Sequence, residues 1–101
     1  MQKSQQVLEL LRKVPQGKVT TYGELARASR SSPRAVGQIM RRNKHPELYP
    51  CFKVIRSDGN IGGYDGCMKG AKVNKKIMLL KKDGIKITKN RINLSRYLHK
   101  F

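Results

Sequence analysis

Signals that start and stop helices crowd the first half of the chain and leave room only for short ones. "SQQVLELLRKV" sets Val7, Leu8, Leu11 and Val14 at helical spacing, with Ser4 as the expected N-cap. Pro15 and Gly17 end that helix. "KVTT" reads as an extended link, and Thr20 or Thr21 caps a second helix, "YGELARAS". Glu24, three residues after Thr21, has capping-box spacing. "SRSS" is a polar break. Pro33 suits the first turn of a third helix, "PRAVGQIMRRN", with Ala35, Val36, Ile39 and Met40 on one side. Two short helices across a polar turn, the second carrying Arg34, Arg41 and Arg42, form a helix-turn-helix pattern. Helix hairpins are common, so the pattern points to DNA only together with charge.

The second half reads differently. "NKHPELYP" is a loop and "CFKVI" a short strand. "RSDGNIGGYDG" offers Asp58-Gly59 as a hairpin turn. A helix fits "KKIMLLKKD", stopped by Gly84 as its C′ residue. "IKI" is strand-like, and the basic tail "TKNRINLSRYLHKF" holds room for a final short helix. The expected fold is one domain over residues 1–101, mainly α with a small β hairpin, a winged helix-turn-helix. A chain of 101 residues with 38% hydrophobic content suits one domain and not two.

Lys and Arg number 23 against 6 Asp and Glu, a net charge of +17. Such an excess repels itself, and its common use is attraction to a polyanion. A lysine-rich solubilising surface is the bland alternative. Anionic membrane fits less well, because no segment joins a strong apolar face to a basic one. No run of 18 apolar residues exists, and "MQKSQQVLELL" is too short and polar for a signal peptide. The expectation is a soluble, cytoplasmic, DNA-associated protein. With only Cys51 and Cys67 no disulfide framework is expected, and His45 and His99 lack metal-ligand spacing, so no metal site is expected either.

Cys51 has two chemical readings. A thiol is a useful nucleophile only as thiolate, and a free cysteine with a pKa of about 8.5 is mostly protonated at neutral pH. Lys53, Arg56 or a helix N-terminus aimed at the sulfur would favour the thiolate. Structural cysteines in strands outnumber nucleophiles, so composition alone favours a core residue. Cys67, in a glycine-flanked basic stretch, reads as incidental.

"VPQGKVTTYGELA", "RAVGQIMRRN", "PCFKVI", "GGYDG" and "LLKKDG" follow one another in register across roughly residues 5 to 87. In that order and spacing the chain resembles the DNA-binding and catalytic domain of the O6-alkylguanine-DNA alkyltransferases, with its PxGxVxTYGxxA, RAVG, PCHRV, GxY and LLxxEG motifs. The resemblance implies a single-turnover reaction in which Cys51 takes the alkyl group from O6 of a damaged guanine and keeps it as a thioether, with no cofactor. The base must be flipped out of the duplex, at roughly a few kcal/mol. It also implies a recognition helix in the minor groove, where Ala35 and Gly37 permit close approach and Arg41 and Arg42 add DNA contacts. Arg34 aligns with the arginine that fills the flipped nucleotide's space, although a plain phosphate contact is its simpler role. Tyr22 aligns with the tyrosine that turns the phosphate, or is a core aromatic. Asn43 aligns with a hinge asparagine. Tyr64 aligns with the tyrosine that reaches the flipped guanine. Met40 and Pro46 align with apolar pocket residues, roles that core packing explains nearly as well. The implied partner is double-stranded DNA containing alkylated guanine, bound by a monomer. The family's N-terminal α/β domain is missing, which fits either a stand-alone domain or part of a larger fusion protein.

The departures fall around the cysteine. The family places a histidine after it, linked through water to the Glu of LLxxEG. Here Phe52 and Asp83 stand at those positions, and phenylalanine cannot accept a proton. Asp83 is at most a remnant of the relay. Lys53 replaces the motif arginine and loses its planar fork. Asp65 stands where a serine is common, in the substrate pocket with Phe52, Lys53 and Tyr64. "CMKGAKVNKK" lengthens the loop before the last long helix. Two readings follow: an alkyltransferase whose thiolate arises from cationic surroundings, or an alkyltransferase-like protein that binds alkylated DNA without transfer. Such binders usually lack the cysteine and commonly carry tryptophan there, so Cys51 in a Pro-Cys context favours transfer. A plain winged-helix regulator would explain the charge but not "PCFKVI" with "GGYDG".

Overall fold

The computed structural model of the protein describes residues 2–62 and 71–101, and the expected roles of Tyr64, Asp65 and Cys67 lie outside them. In chain order the elements are α1 (Lys3–Arg12), β1 (Thr20–Thr21), α2 (Tyr22–Ser29), α3 (Pro33–Arg41), a 3-10 turn (Cys51–Lys53), β2 (Val54–Ile55), α4 (Ala71–Lys82) and α5 (Leu94–Tyr97).

The helix boundaries follow the local chemistry. Thr21 Oγ1 accepts the Glu24 N–H at 3.0 Å, and Ser32 Oγ accepts the Ala35 N–H at 3.1 Å, with Pro33 at the start of α3. The Glu24 carboxylate does not close a capping box. It turns to Arg27 at 2.7 Å and to the Phe101 N–H at 3.4 Å. At α1 the N-cap is Gln2, without a side-chain bond, and Ser4 lies inside the helix. Gly84 ends α4 as expected. At φ +91° its N–H bonds Lys81 O, and the Ile85 N–H bonds Leu80 O, a Schellman closure with Ile85 and Leu80 in the same core.

The mainly helical class holds, and the β part takes another form than the hairpin expected at Asp58-Gly59. β2 pairs in parallel with β1, Thr20 beside Val54 and Thr21 beside Ile55. The turn itself is present, with the Gly59 N–H on Arg56 O and the Arg56 N–H on Asn60 O. Its return arm is claimed by the tail: the Ile92 N–H bonds Gly59 O and the Ile61 N–H bonds Asn90 O. A two-residue turn does exist at Lys89-Asn90, both at positive φ, closed by reciprocal Thr88 and Arg91 bonds. "CFKVI" splits, because Cys51–Lys53 wind into the 3-10 turn and only Val54 and Ile55 are extended. "IKI" forms no strand, and Ile85 and Ile87 serve as core residues.

β2 divides two apolar clusters. Val54 joins Val7, Leu11, Val14, Leu25, Ala26, Val36 and Met40 of the three-helix core. Ile55 joins Val19, Ile61, Leu80, Ile85, Ile92 and Tyr97. Opposite faces for successive residues are what an extended strand imposes. The tail is built in: Val19 exchanges main-chain bonds with Tyr97 and His99, and Phe101 packs against the three-helix core.

Two glycines test the turns separately. A Cβ at Gly59, where φ is +90°, would stand 2.9 Å from Ile92 O, whereas one at Gly84 would meet nothing within 4 Å. Gly84→Ala should therefore cost only the left-handed backbone penalty, about 1–2 kcal/mol. Gly59→Ala should cost clearly more, because main chain must also move. Chemical denaturation of the two variants measures the difference, and equal losses would contradict the tail contact.

Candidate DNA-binding face and reactive cysteine

Helices α2 and α3 stand side by side across a turn in which Arg30 takes a left-handed conformation and the Ser31 N–H bonds Ala26 O. The inner side of α3 packs into the core through Val36 and Met40. Its outer side carries exposed Arg34 and Arg41, with exposed Arg42 just beyond. A Cβ at Gly37 would meet nothing within 4 Å, and half-buried Ala35 is likewise small, so α3 has a low profile between its arginines. Among the described residues, acids engage Arg12, Arg27, Lys53 and His45, none of them on α3. The cationic edge is left to face outward.

Tyr22, Pro33, Arg34, Gly37, Arg56 and Ser57 line a cleft of about 370 Å³ beside this edge. Close by, the 56–60 turn lies against the start of α2, where a Cβ on Gly23 would stand 2.9 Å from Ser57 Oγ. Burial, and then the charge of Cys51, push the Tyr22 hydroxyl above its ordinary pKa, so Tyr22 is a neutral phenol coupled to the cysteine. The sequence marks Arg56 only as a cationic neighbour of Cys51. Its place in the cleft depends on the turn and has no signal in its own sequence context.

Cys51 opens the 3-10 turn, half-buried against the three-helix core, with its N–H on Tyr49 O at 2.7 Å. The loop before it is held by Asn43, whose Nδ2 donates to Tyr49 O at 2.8 Å while its Oδ1 accepts the His45 N–H at 3.0 Å. Pro46 is exposed in that loop. Phe52 faces away from the cysteine's side and packs against the second cluster. Lys53 is buried at 5% exposure, and its Nζ reaches Pro15 O at 2.9 Å and Asp83 Oδ2 at 3.1 Å. The same Asp83 oxygen accepts the Gly17 N–H at 2.9 Å. The structure thus brings Tyr22, Arg34 and Gly37 to one cleft and couples Tyr22 to Cys51. Lys53 and Asp83 pair with each other elsewhere.

One residue in the cysteine's surroundings escaped the sequence reading. Lys76 of α4 is fully buried, and its Nζ donates to Val54 O at 2.8 Å and Ile61 O at 2.5 Å. Desolvation lowers its pKa to about 8, and the Cys51 charge acts against that fall. In "KVNKKIMLLKK" it is one lysine among several. Only its position four residues before Leu80, on the helix's inner side, marks it.

A helix-turn-helix with an outward cationic second helix, beside a cleft whose Tyr22 feels the charge of a half-buried cysteine, is the arrangement of a DNA-binding domain of the alkyltransferase type. Residues 2–85 match the family described as 6-O-methylguanine DNA methyltransferase, DNA binding domain, and the chain belongs to that family. A methylated-DNA–protein-cysteine methyltransferase of Thermococcus sibiricus is 48% identical over 77 residues, 76% of this chain and 41% of that protein. A bifunctional methyltransferase/endonuclease of Picrophilus torridus is 46% identical over 90 residues, 87% of this chain and 28% of that protein. The chain thus spans less than half the length of these two curated relatives. Among solved structures, S. pombe Atl1 in complex with damaged DNA containing O6-carboxymethylguanine superposes with a TM-score of 0.85 at 29% identity, covering 98% of this chain and 95% of that one. The O6-methylguanine-DNA methyltransferase of Pyrococcus kodakaraensis gives 0.71 at 41% identity, covering 84% and 47%. No helix of the described residues is long and apolar enough to cross a membrane.

The buried Lys53–Asp83 pair should matter far more than surface pairs. Asp83→Asn leaves a buried ammonium without its counter-charge and should destabilise the protein by about 3 kcal/mol. Glu24→Gln, which breaks the exposed pair with Arg27, should cost less than about 1 kcal/mol. Urea midpoints of the two variants provide the comparison.

Proposed function

We propose that this domain repairs DNA by moving the alkyl group of O6-alkylguanine irreversibly onto Cys51 after base flipping. The observation that carries the reading is Cys51 itself, half-buried at the head of the 3-10 turn and coupled to Tyr22 at the wall of a cleft on the DNA-binding face. Arg34 enters the duplex and holds the vacated space, and Tyr22 turns the phosphate beside the lesion. Arg41 and Arg42 hold the backbone. The low profile at Ala35 and Gly37 lets α3 sit close in the groove. Cys51 sulfur displaces guanine O6 from the alkyl carbon, forming a thioether that ends the protein's activity, with no cofactor required. Asn43 steadies the loop ahead of the cysteine, and Tyr64 and Asp65 belong to the base pocket.

A second reading, lesion binding without transfer, has its own support. The structural likeness to Atl1 runs through the tail to 98% of the chain, whereas that to the Pyrococcus methyltransferase covers 84%. Incubation with an O6-methylguanine duplex distinguishes the readings. The expected result is one added methylene unit on the intact protein, mapped to Cys51. An unmodified protein that still prefers lesion duplex over plain duplex would establish the binder instead.

Arg34→Ala separates intrusion from phosphate contact. Losing an intruding side chain should slow transfer at least tenfold, since flipping involves about a few kcal/mol. Affinity for plain duplex should change only as one lost phosphate contact does, lowering the salt slope by about one unit. Parallel losses of transfer and plain-duplex affinity would show Arg34 to be a phosphate contact.

A further inference from the structure

The family match ends at residue 85, yet the residues after it are built into the fold. The Ile92 N–H bonds Gly59 O, a tight turn closes between Thr88 and Arg91, and Val19 exchanges main-chain bonds with Tyr97 and His99. This tail is also basic. Lys86, Arg91 and Arg96 stand exposed around an open trough of about 380 Å³, to which Thr88 and Asn93 add neutral hydrogen-bonding groups. Among the described residues, none of these three cations is held in an ion pair.

Arg91 ties the trough to the cleft on the helix-turn-helix. Its Nη1 donates to Asp58 O at 3.1 Å, in the same turn whose Arg56 and Ser57 line the cleft with Arg34. The Asn60 N–H first, and also the charges of Arg56 and Arg91, hold the Asp58 carboxyl below its ordinary range. One carboxylate set against two arginines leaves the turn cationic. Arg34, Arg56 and Arg91 thus form one track from α3 across the turn to the tail, and Lys86 and Arg96 continue it in the trough.

We propose that this tail trough is a second DNA contact, gripping the sugar–phosphate backbone of the duplex that flanks the site engaged by α3; this inference rests on DNA binding by α3 and not on alkyl transfer. Duplex DNA carries one charge per about 1.7 Å of its axis, so a track of several cations meets several phosphates. The trough fits a polyanion passing over it, because its cations are all exposed, whereas a small-molecule site encloses most of its ligand. The Arg96 guanidinium lies 5.3 Å from the centre of the Tyr97 ring, and a stacked guanidinium keeps its planar donor edge for a phosphate. Backbone contacts fix register and read no bases, so the trough adds affinity without adding lesion preference.

Fluorescence anisotropy on the full chain follows plain-duplex affinity against salt for the wild type and for Lys86→Gln/Arg91→Gln/Arg96→Gln. The salt slope should fall by about one unit per lost phosphate contact, about two to three units in all. A control of equal charge, Lys13→Gln/Lys81→Gln/Lys82→Gln, alters exposed lysines outside both the cleft and the trough and should move the slope by less than about one unit. The preference for O6-methylguanine duplex over plain duplex should be the same in all three proteins. Equal slopes in the trough variant and the wild type, or equal falls in the trough variant and the control, would overturn the inference. So would a loss confined to phosphatidylserine vesicles, which would assign the trough to a lipid surface. Should the triple variant not fold, Lys86→Gln/Arg96→Gln keeps the Arg91 bond to the turn and should lose about two units, and an unmoved slope there overturns the inference equally. A wild type without affinity for any duplex would refute DNA binding by α3 as well. A slope that falls as expected in a protein that takes no methyl group would uphold the trough and refute the transfer reading alone.

Discussion

The pairing of Lys53 with Asp83 fastens three parts of the molecule at one point. Lys53 belongs to the 3-10 turn, Asp83 ends α4, and the Pro15 carbonyl and Gly17 N–H that complete the node lie in the link from α1 to β1. Both side chains are nearly removed from water, at 6% and 13% exposure, so each depends on the other and on the main chain around it. Gly17, at φ +83°, presents its N–H to the carboxylate from a left-handed turn. The position of Cys51, two residues from Lys53, is inherited from this node.

The same arrangement explains how a chain with so few acids places them. Glu9 and Glu24 serve helix surfaces, and Asp58 holds its own turn through the Asn60 N–H, which keeps its carboxyl below the ordinary range. Asp83 is spent inside. Little negative charge remains to mask α3, and the cationic edge there faces outward at full strength. Charge distribution, beyond the total, makes the helix pair a DNA-binding face.

Strand β2 sets the chemistry by dividing the core. Val54 and Ile55 fall into different clusters, and the residues just before them part in the same way, Cys51 to the three-helix side and Phe52 to the other. A residue next to the cysteine in sequence is therefore not its neighbour in space. The group that does approach, Lys76, comes from α4, twenty-five positions later in the chain.

Much of this was legible from residues alone. Thr21, Ser32 and Pro33 mark helix starts through bonds made within a few residues, and Gly84 marks a stop through its conformational freedom. Such local chemistry needs no tertiary contact. The motif series around Cys51 was equally legible and identified the family. What sequence could not decide is long-range pairing. The Asp58-Gly59 turn promised a hairpin, but β2 found its partner in β1 and the tail took the return arm, because main-chain bonds carry no residue-specific signature of their partner. The buried charges were hidden for a related reason. Among the 23 lysines and arginines, Lys53 and Lys76 look like surface cations until packing strips them of water, and only then do an ion pair and a lysine titrating near 8 arise.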